Sequence, residues 1–189
     1  MIKQYKNSAY FLAIITEIEK ETLITGSVKR PVMKVKCYDS HQNIAEVSVV
    51  FSSISQIRKS TIYEVGDIIQ FSASIGECPM DNLVFYPKNI HLIKKCPIEQ
   101  EPITDTFIKS RLLYYLKEVN EVFFEGYVYA TDGKNTSIEI ENEEILRGSC
   151  LEKSHIWVKH SYLSLEKEEK VCFIGEMTKD GLQGQIYKK

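Results

Sequence analysis

Apolar and polar side chains alternate with a period of two through much of the first 95 residues, and β-branched residues are frequent in the same segments. This pattern is typical of strands that have one face in a core and the other in solvent. Turn-forming residues separate the segments, with Asp39, Ser40 and Asn43 between the second and the third. Five strands are predicted, within residues 10–19, 28–39, 43–51, 63–77 and 83–93.

The period changes between the third and fourth predicted strands. Ile54 and Ile57 lie three residues apart and follow Ser52 and Ser53, which predicts a short helix capped by one of the two serines. The predicted order is therefore three strands, a short helix and two further strands.

This order, together with several short phrases, resembles the OB-fold domains of the anticodon-binding type. The phrases are an aspartate turn after the second strand (KVKCYDSHQNI), an aromatic residue closing the third (VSVVF), a Gly-Asp pair before the fourth (VGDIIQFSASI) and a final Asn-Ile-x-Leu-Ile. The resemblance covers about residues 8–95 and implies a five-stranded Greek-key barrel. It also implies that strands two and three, with the loops between strands one and two and between four and five, hold single-stranded nucleic acid.

The second predicted strand supplies candidate binding residues. Successive strand side chains alternate faces. If the apolar set points into the barrel, Arg30, Lys34, Lys36 and Tyr38 point outward. The predicted inward set is Met33, Val35, Cys37, Ala45, Val47, Val49 and Phe51. Lysines beside phosphates release bound counterions, and a tyrosine ring offers a surface on which a base can stack. An ordinary solvated face is the alternative interpretation. The predicted binding residues here are Lys29, Arg30, Lys34, Lys36 and Tyr38, flanked by Arg58 and Lys59.

The strand pattern breaks near residue 97. Pro97 and Pro102 stand among polar residues, and apolar residues then recur at intervals of three and four, which predicts an amphipathic helix over 104–120. We expect its apolar stripe to pack against one or both β domains; docking in the groove of a partner is the alternative. The stripe comprises Phe107, Ile108, Leu112, Tyr115, Leu116 and Val119.

Alternation returns after residue 119 and predicts a second, OB-like barrel, with a non-OB antiparallel domain as the alternative. Asp132-Gly133 and Asp180-Gly181 mark turns within it. The expected fold class is therefore mainly β, with two small five-stranded Greek-key barrels joined by a linker and one α-helix. The predicted strands lie within 122–131, 135–145, 154–163, 169–179 and 182–189, and the expected domains are 1–96, 97–119 and 120–189.

The C-terminal half contains a second candidate stacking site. An outward Trp157 beside Lys159 and His160 would form one, whereas an inward Trp157 would belong to the core. The same half is acidic, which disfavours phosphate and favours protein docking. The glutamates concerned are Glu139, Glu141, Glu143 and Glu144.

The net charge also differs between the two halves of the chain. Residues 1–96 carry 12 Lys and Arg against 9 Asp and Glu, a net charge of +3, whereas residues 97–189 carry 12 against 17, a net charge of −5. The N-terminal half is therefore the expected phosphate-binding half. The sequence has no apolar run long enough for a membrane span and no secretion signal, so we expect a cytoplasmic protein. Cys37 and Cys172 lie within alternating strands and are predicted to be buried thiols.

Motifs of enzymes are absent from the sequence, including phosphate-binding loops, nucleophile elbows and zinc-protease helices. A zinc site at Cys150, His155 and His160 is disfavoured because strand positions five apart face opposite ways. Solvated strand faces explain carboxylate pairs such as Glu17 with Glu19 more simply than a magnesium nuclease does.

We therefore expect a non-enzymatic protein, without metal or cofactor, that binds single-stranded nucleic acid and prefers DNA to RNA. We also expect a protein partner or a second copy of the chain. The alternative is an OB-fold adaptor subunit within a replication, repair, transfer or defence assembly.

Overall fold

The computed structural model describes residues 7–25, 28–52, 54–78, 81–96, 104–112, 119–141, 153–161 and 164–189. These residues form ten strands and two helices, so the chain is mainly β, as predicted. In chain order the elements are β1 (Asn7–Thr25), β2 (Val28–Tyr38), β3 (Ile44–Val50), α1 (Ile54–Ser60), β4 (Ile68–Cys78), β5 (Asp81–Lys94), α2 (Asp105–Leu112), β6 (Asn120–Thr131), β7 (Asn135–Glu141), β8 (Lys153–His160), β9 (Lys170–Thr178) and β10 (Gly181–Lys188).

The first five strands close into a barrel, here called the N-terminal barrel. β1 pairs antiparallel with β2 and β4, β2 with β3, and β4 with β5, while β3 runs parallel beside β5. α1 lies between β3 and β4, as the change of period predicted. Every strand is thus paired on both sides, and the order around the barrel is the expected Greek-key order.

The interior of the N-terminal barrel is apolar and closely packed. The ring of Phe11 lies at its centre, with its centroid 5.2 Å from that of Phe71 and 5.0 Å from that of Phe85. Burial raises the pKa of the Cys37 thiol to about 12. The alternation predicted for β2 and β3 is confirmed, since the predicted inward residues are all buried: Met33, Val35, Cys37, Ala45, Val47, Val49 and Phe51.

The last five strands, here called the C-terminal ring, repeat the same pairing order. β6 pairs antiparallel with β7 and β9, β7 with β8, and β9 with β10, while β8 runs parallel beside β10. Phe124 and Phe173 meet inside the ring, with centroids 5.0 Å apart. β9 and β10 approach so closely that a Cβ atom on Gly175 would lie 2.3 Å from the carbonyl oxygen of Gln183.

β1 joins both halves into one ten-stranded sheet, because its first residues pair with β4 on one side and β6 on the other. The buried side chain of Asn120 reinforces this joint. Its Nδ2 donates to the carbonyl oxygens of Tyr38, at 2.8 Å, and Met177, at 2.7 Å, while its Oδ1 accepts from the Met177 N–H at 2.8 Å. The Glu176 carboxylate also accepts from the N–H and hydroxyl of Ser40, at 2.7 and 2.6 Å.

Helix α2 packs on the outside of the N-terminal barrel through Phe107, Ile108 and Leu112. This confirms packing, as opposed to partner docking, for the part of the apolar stripe that the structure describes. Tyr115 and Leu116 lie outside the described residues. The predicted C-terminal end of the helix is wrong, because Asn120 begins β6 and pairs with Phe11 of β1.

Cys172 is buried, as predicted, and Cys150 lies outside the described residues. Neither of the two described helices has the length and apolar character needed to cross a membrane. Within the described ranges, no group of three or more His, Cys, Asp or Glu side chains is placed to hold a metal ion.

Candidate nucleic-acid interface

The outward lysine at the middle of β2 is paired with carboxylates of β1. The strand register sets Lys34 opposite Glu17, and the Lys34 Nζ lies 3.1 Å from Glu17 Oε2 and 3.7 Å from Glu19 Oε1. The hydrogen bond that Lys34 donates to the Glu17 carboxylate raises the pKa of Lys34. Lys34 points outward as predicted, but its charge is balanced by two neighbours on the same sheet. An added phosphate therefore competes with carboxylates already in place.

Helix α2 covers the next part of the predicted face. Lys36 Nζ lies 3.4 Å from Asp105 Oδ1 in the first turn of the helix. Tyr38 is only 8% exposed and belongs to the same buried apolar cluster as Ile108 and Leu112 of α2. The prediction that Tyr38 offers an open stacking surface is therefore wrong. Alternation correctly turned its ring away from the barrel interior, but a later segment of the chain closes over that side.

The remaining predicted cations of the N-terminal barrel do not gather at one place. Lys29 Nζ lies 3.4 Å from Glu21 Oε2, and the half-buried Arg30 donates from Nη1 to the carbonyl oxygen of Lys29 at 2.9 Å. Arg58 and Lys59 are exposed on the last turn of α1 and have no ion pair among the described residues. The structure thus leaves this pair of cations open without placing them beside an exposed aromatic ring of β2.

A group of exposed rings lies on the outer face of β6, β7 and β8. Trp157 on β8 is 55% exposed, and Tyr127 and Tyr129 on β6 are each 50% exposed. His155, two residues before Trp157, faces the same way, and its ring centroid lies 4.2 Å from that of Tyr129. These four residues, Tyr127, Tyr129, His155 and Trp157, are here called the aromatic platform.

Strand alternation and small neighbours together expose the indole. Ile156 and Val158 point into the ring interior, so Trp157 must point out. The residue directly opposite it on β7 is Ser137, and Ala130 of β6 stands opposite Ser137. Neither of these small side chains can cover an indole. The sequence prediction of an outward Trp157, the alternative to a core residue, therefore agrees with the structure.

Four lysines surround the aromatic platform and have no ion pair among the described residues. One of them, Lys167, holds its Nζ 5.9 Å above the centre of the Tyr129 ring. All four side chains are exposed: Lys134, Lys159, Lys167 and Lys170.

The acidic residues predicted to repel phosphate are partly balanced. Glu139 Oε1 lies 2.6 Å from Lys153 Nζ, and Glu139 Oε2 lies 3.4 Å from His155 Nε2. The hydrogen bond from Lys153 lowers the pKa of Glu139. Glu143 and Glu144 lie outside the described residues. Glu141, the other described residue of this acidic run, is exposed and has no ion pair among the residues that the structure describes. The charge of Glu139 is therefore balanced, whereas that of Glu141 is not.

Two hairpin turns flank one end of the aromatic platform. In the β6–β7 turn, Asp132 accepts from the Asn135 side-chain amide at 2.8 Å, which together with backbone N–H bonds lowers the pKa of Asp132. The β9–β10 turn contains Asp180 before Gly181, whose φ of 101° favours glycine. Between these turns lies an open cavity of about 270 Å³, here called the turn pocket, lined by Asp132, Asn135, Trp157, Val158, Lys159, Asp180 and Leu182.

Sequence reasoning selected Trp157 and Lys159 but missed the other rings of the platform. His155 could have been found, because positions 155, 157 and 159 share one face of a strand. Tyr129 could not, because its contact with His155 depends on the pairing of both β6 and β8 with β7. His160 does not join Trp157 and faces the other way, with its Nε2 2.8 Å from Thr136 Oγ1.

No family model matches the chain, and no curated protein matches its sequence. Two solved structures of the single-stranded DNA-binding protein from Thermus aquaticus are similar in structure. The wild-type protein has 11% identity and a TM-score of 0.56, over 97% of this chain and 92% of that one. A deletion mutant of it has 12% identity and a TM-score of 0.54, over 97% and 94%. At this identity the likeness concerns the fold, and together with the strand order of the N-terminal barrel it shows that the chain has the OB fold.

Proposed function

We propose that the protein binds single-stranded nucleic acid, DNA ahead of RNA, and that it does so on the C-terminal ring, which acts as a second OB-like barrel spanning 120–189. The observation that carries the proposal is the exposed Trp157, set among three further rings and four unpaired lysines. Large exposed rings in one contiguous patch mark an interaction surface. The preference for DNA is supported by the similar solved structures, which are of a single-stranded DNA-binding protein.

The position of the aromatic platform within the strand order supports the same function. β7 and β8 are the second and third strands of the C-terminal ring, and the two turns beside Trp157 join its first to second and fourth to fifth strands. In OB folds, this combination of strands and loops binds oligonucleotides. In the N-terminal barrel the equivalent face is paired with carboxylates and covered by α2, so we assign it a supporting role.

The N-terminal barrel positions the platform strand directly. Glu77 of β4 donates its N–H to Ser154 Oγ at 3.0 Å, and its Oε2 accepts from the His155 N–H at 3.1 Å. These bonds hold the beginning of β8, and with it the line of His155, Trp157 and Lys159. We therefore propose that residues 1–96 form a scaffold domain, joined through 97–119 to a binding domain.

Base stacking and phosphate neutralisation give affinity for a single strand without any sequence-specific contact. Each base stacked on an aromatic side chain contributes about 1–3 kcal/mol. Each phosphate neutralised on a single strand contributes about −0.7 to the slope of log K against log salt. Engagement of all four lysines therefore gives a slope of about −3. We expect affinity that falls steeply with salt.

Trp157 is the only tryptophan in the sequence, so its fluorescence reports directly on the aromatic platform. Titration with a twelve-residue thymidine oligonucleotide at low salt should quench the emission and give a micromolar or tighter Kd, and the RNA counterpart should bind more weakly. In parallel, anisotropy of a labelled oligonucleotide should show weaker binding to Trp157→Ala, partial retention in Trp157→Phe, and unchanged binding to Tyr187→Ala, a matched exposed ring on β10. Absence of binding at low salt would contradict the proposal, and equal binding by Trp157→Ala would exclude this face.

A further inference from the structure

The turn pocket is chemically different from the rest of the platform, because it brings together an indole, a lysine and carboxylates. Trp157 forms one wall, Lys159 follows it on the same face of β8, and Asp132 and Asp180 approach from the two turns. The cavity is open to solvent and large enough for one nucleobase. A strand stacked on Trp157 would therefore place a base beside a carboxylate, with Lys159 near its phosphate.

The two aspartates have unequal capacity to bind a ligand. Asp132 is occupied by its own turn: Oδ1 accepts from the N–H groups of Lys134 and Asn135, at 3.0 and 2.7 Å, and Oδ2 accepts from the Asn135 side-chain amide. The carboxylate of Asp180 accepts no hydrogen bond from the described residues; only its backbone N–H is used, donating to Thr178 Oγ1 at 3.2 Å. Asp180 is therefore the available acceptor of the turn pocket.

A free carboxylate selects among bases by the donors that they present. It repels phosphate, so the group beside Asp180 is a base edge. Guanine carries two adjacent donors, N1–H and the 2-amino group, which match the two oxygens of one carboxylate. Thymine carries a single N–H between two carbonyl oxygens, and both of these repel a carboxylate. Cytosine and adenine each present one amino group beside an unprotonated ring nitrogen.

We propose that the turn pocket is a base-recognition subsite in which a guanine stacks on Trp157 and donates to the Asp180 carboxylate. This inference rests on the proposed function of the same face and adds a sequence preference to it. A bidentate contact of this kind discriminates between bases by roughly 5-fold to 150-fold. Because Asp180 is exposed, we expect the lower end, about fivefold.

The test compares the full-length protein with three dodecamers: thymidine alone, thymidine with guanine at every third position, and the same with hypoxanthine, which lacks the 2-amino group, in place of guanine. The wild type should bind the guanine oligonucleotide about fivefold more tightly than thymidine alone, and hypoxanthine should lose part of this gain. Asp180→Asn should abolish the preference. Glu121→Gln, which removes a charge at the far end of β6, should keep it.

The outcomes separate the two proposals. Equal affinity for thymidine and guanine oligonucleotides, with clear binding to both, would overturn the subsite and leave the proposed function standing. A guanine preference that survives Asp180→Asn would overturn the role of Asp180. Absence of binding to all three oligonucleotides would overturn the proposed function itself.

Discussion

The ring of His155 lies 4.2 Å from the ring of Tyr129, although the two residues belong to strands that are separated by β7. The contact spans the middle strand and joins the two sides of the aromatic platform. The backbone N–H of His155 is at the same time held by Glu77 of the N-terminal barrel. One half of the molecule thus orients the rings that the other half presents.

Tyr129→Ala should weaken binding of a thymidine oligonucleotide by about 5-fold to 150-fold, the loss expected for one stacked base. The Ala variant also removes the ring that contacts His155. Tyr129→Phe keeps this ring, so it should retain most of the affinity. Anisotropy at low salt measures both. Equal losses in the Phe and Ala variants would contradict a stacking role and point instead to the hydroxyl.

Lysines of the two halves should differ in their effect on salt dependence. Lys159→Ala combined with Lys167→Ala should reduce the slope of log K against log salt by about 1.4, because two phosphate contacts are lost. Lys34→Ala combined with Lys36→Ala is the matched control, since those cations are already paired with Glu17 and Asp105. Its affinity should stay within about twofold of the wild type at each salt concentration. The reverse ranking would return the site to the N-terminal barrel.

The joint between the two halves should depend strongly on one side chain. Asn120→Ala removes three hydrogen bonds, one buried bond to the Tyr38 carbonyl and two partly buried bonds to the backbone groups of Met177. At about 1 kcal/mol for each, the free energy of unfolding should fall by about 3 kcal/mol in urea denaturation. Asn89→Ala, at an exposed position of β5, should change it by less than about 0.5 kcal/mol. A loss in Asn120→Ala no larger than the small loss in Asn89→Ala would show that the joint contributes little to stability.

Closure of the C-terminal ring should fail when a methyl group is added between β9 and β10. Gly175→Ala places a Cβ atom 2.3 Å from the Gln183 carbonyl oxygen and 2.5 Å from the Phe173 ring, which should cost about 3 kcal/mol or more. Gly133→Ala meets no atom within 4 Å and suffers only the strain of a φ of 91°, about 1–2 kcal/mol. Thermal unfolding should rank the two variants in this order. The opposite ranking would contradict the close approach of the two strands.

Alkaline pH should remove stability through Cys37. Its pKa is about 12 in the folded protein, against about 8.5 for an unfolded thiol, so between these values the unfolded state has released a proton that the folded state keeps. Stability from this group is complete below about pH 8.5 and declines by up to about 1.4 kcal/mol for each pH unit above it. Urea unfolding should show the advantage of the wild type over Cys37→Ala shrinking by about 2 kcal/mol from pH 9 to 10.5. A constant difference would show that the thiol is not buried.

The periodicity of apolar residues predicts which segments are strands and which side chains of β2 and β3 are buried. Met33, Val35 and Cys37 are buried because alternate side chains of a strand must share a face, and only the apolar set can enter a core. The same rule separates Trp157 from Ile156 and Val158, but the sequence left open whether Trp157 points outward or into the core. The change of period at Ile57 also predicted the order of elements along the chain, whereas the Greek-key order around the N-terminal barrel was implied by the resemblance to OB-fold domains.

Which outward face is open depends on contacts between segments that are distant in the chain. The pairing of Lys34 with Glu17 depends on the register between β1 and β2, and the burial of Tyr38 depends on where α2 packs. The Trp157 ring is exposed because the register between β7 and β8 places the small side chain of Ser137 opposite it. Alternation distinguishes the two faces of a strand, but it carries no information about which distant segment will lie against the outer one.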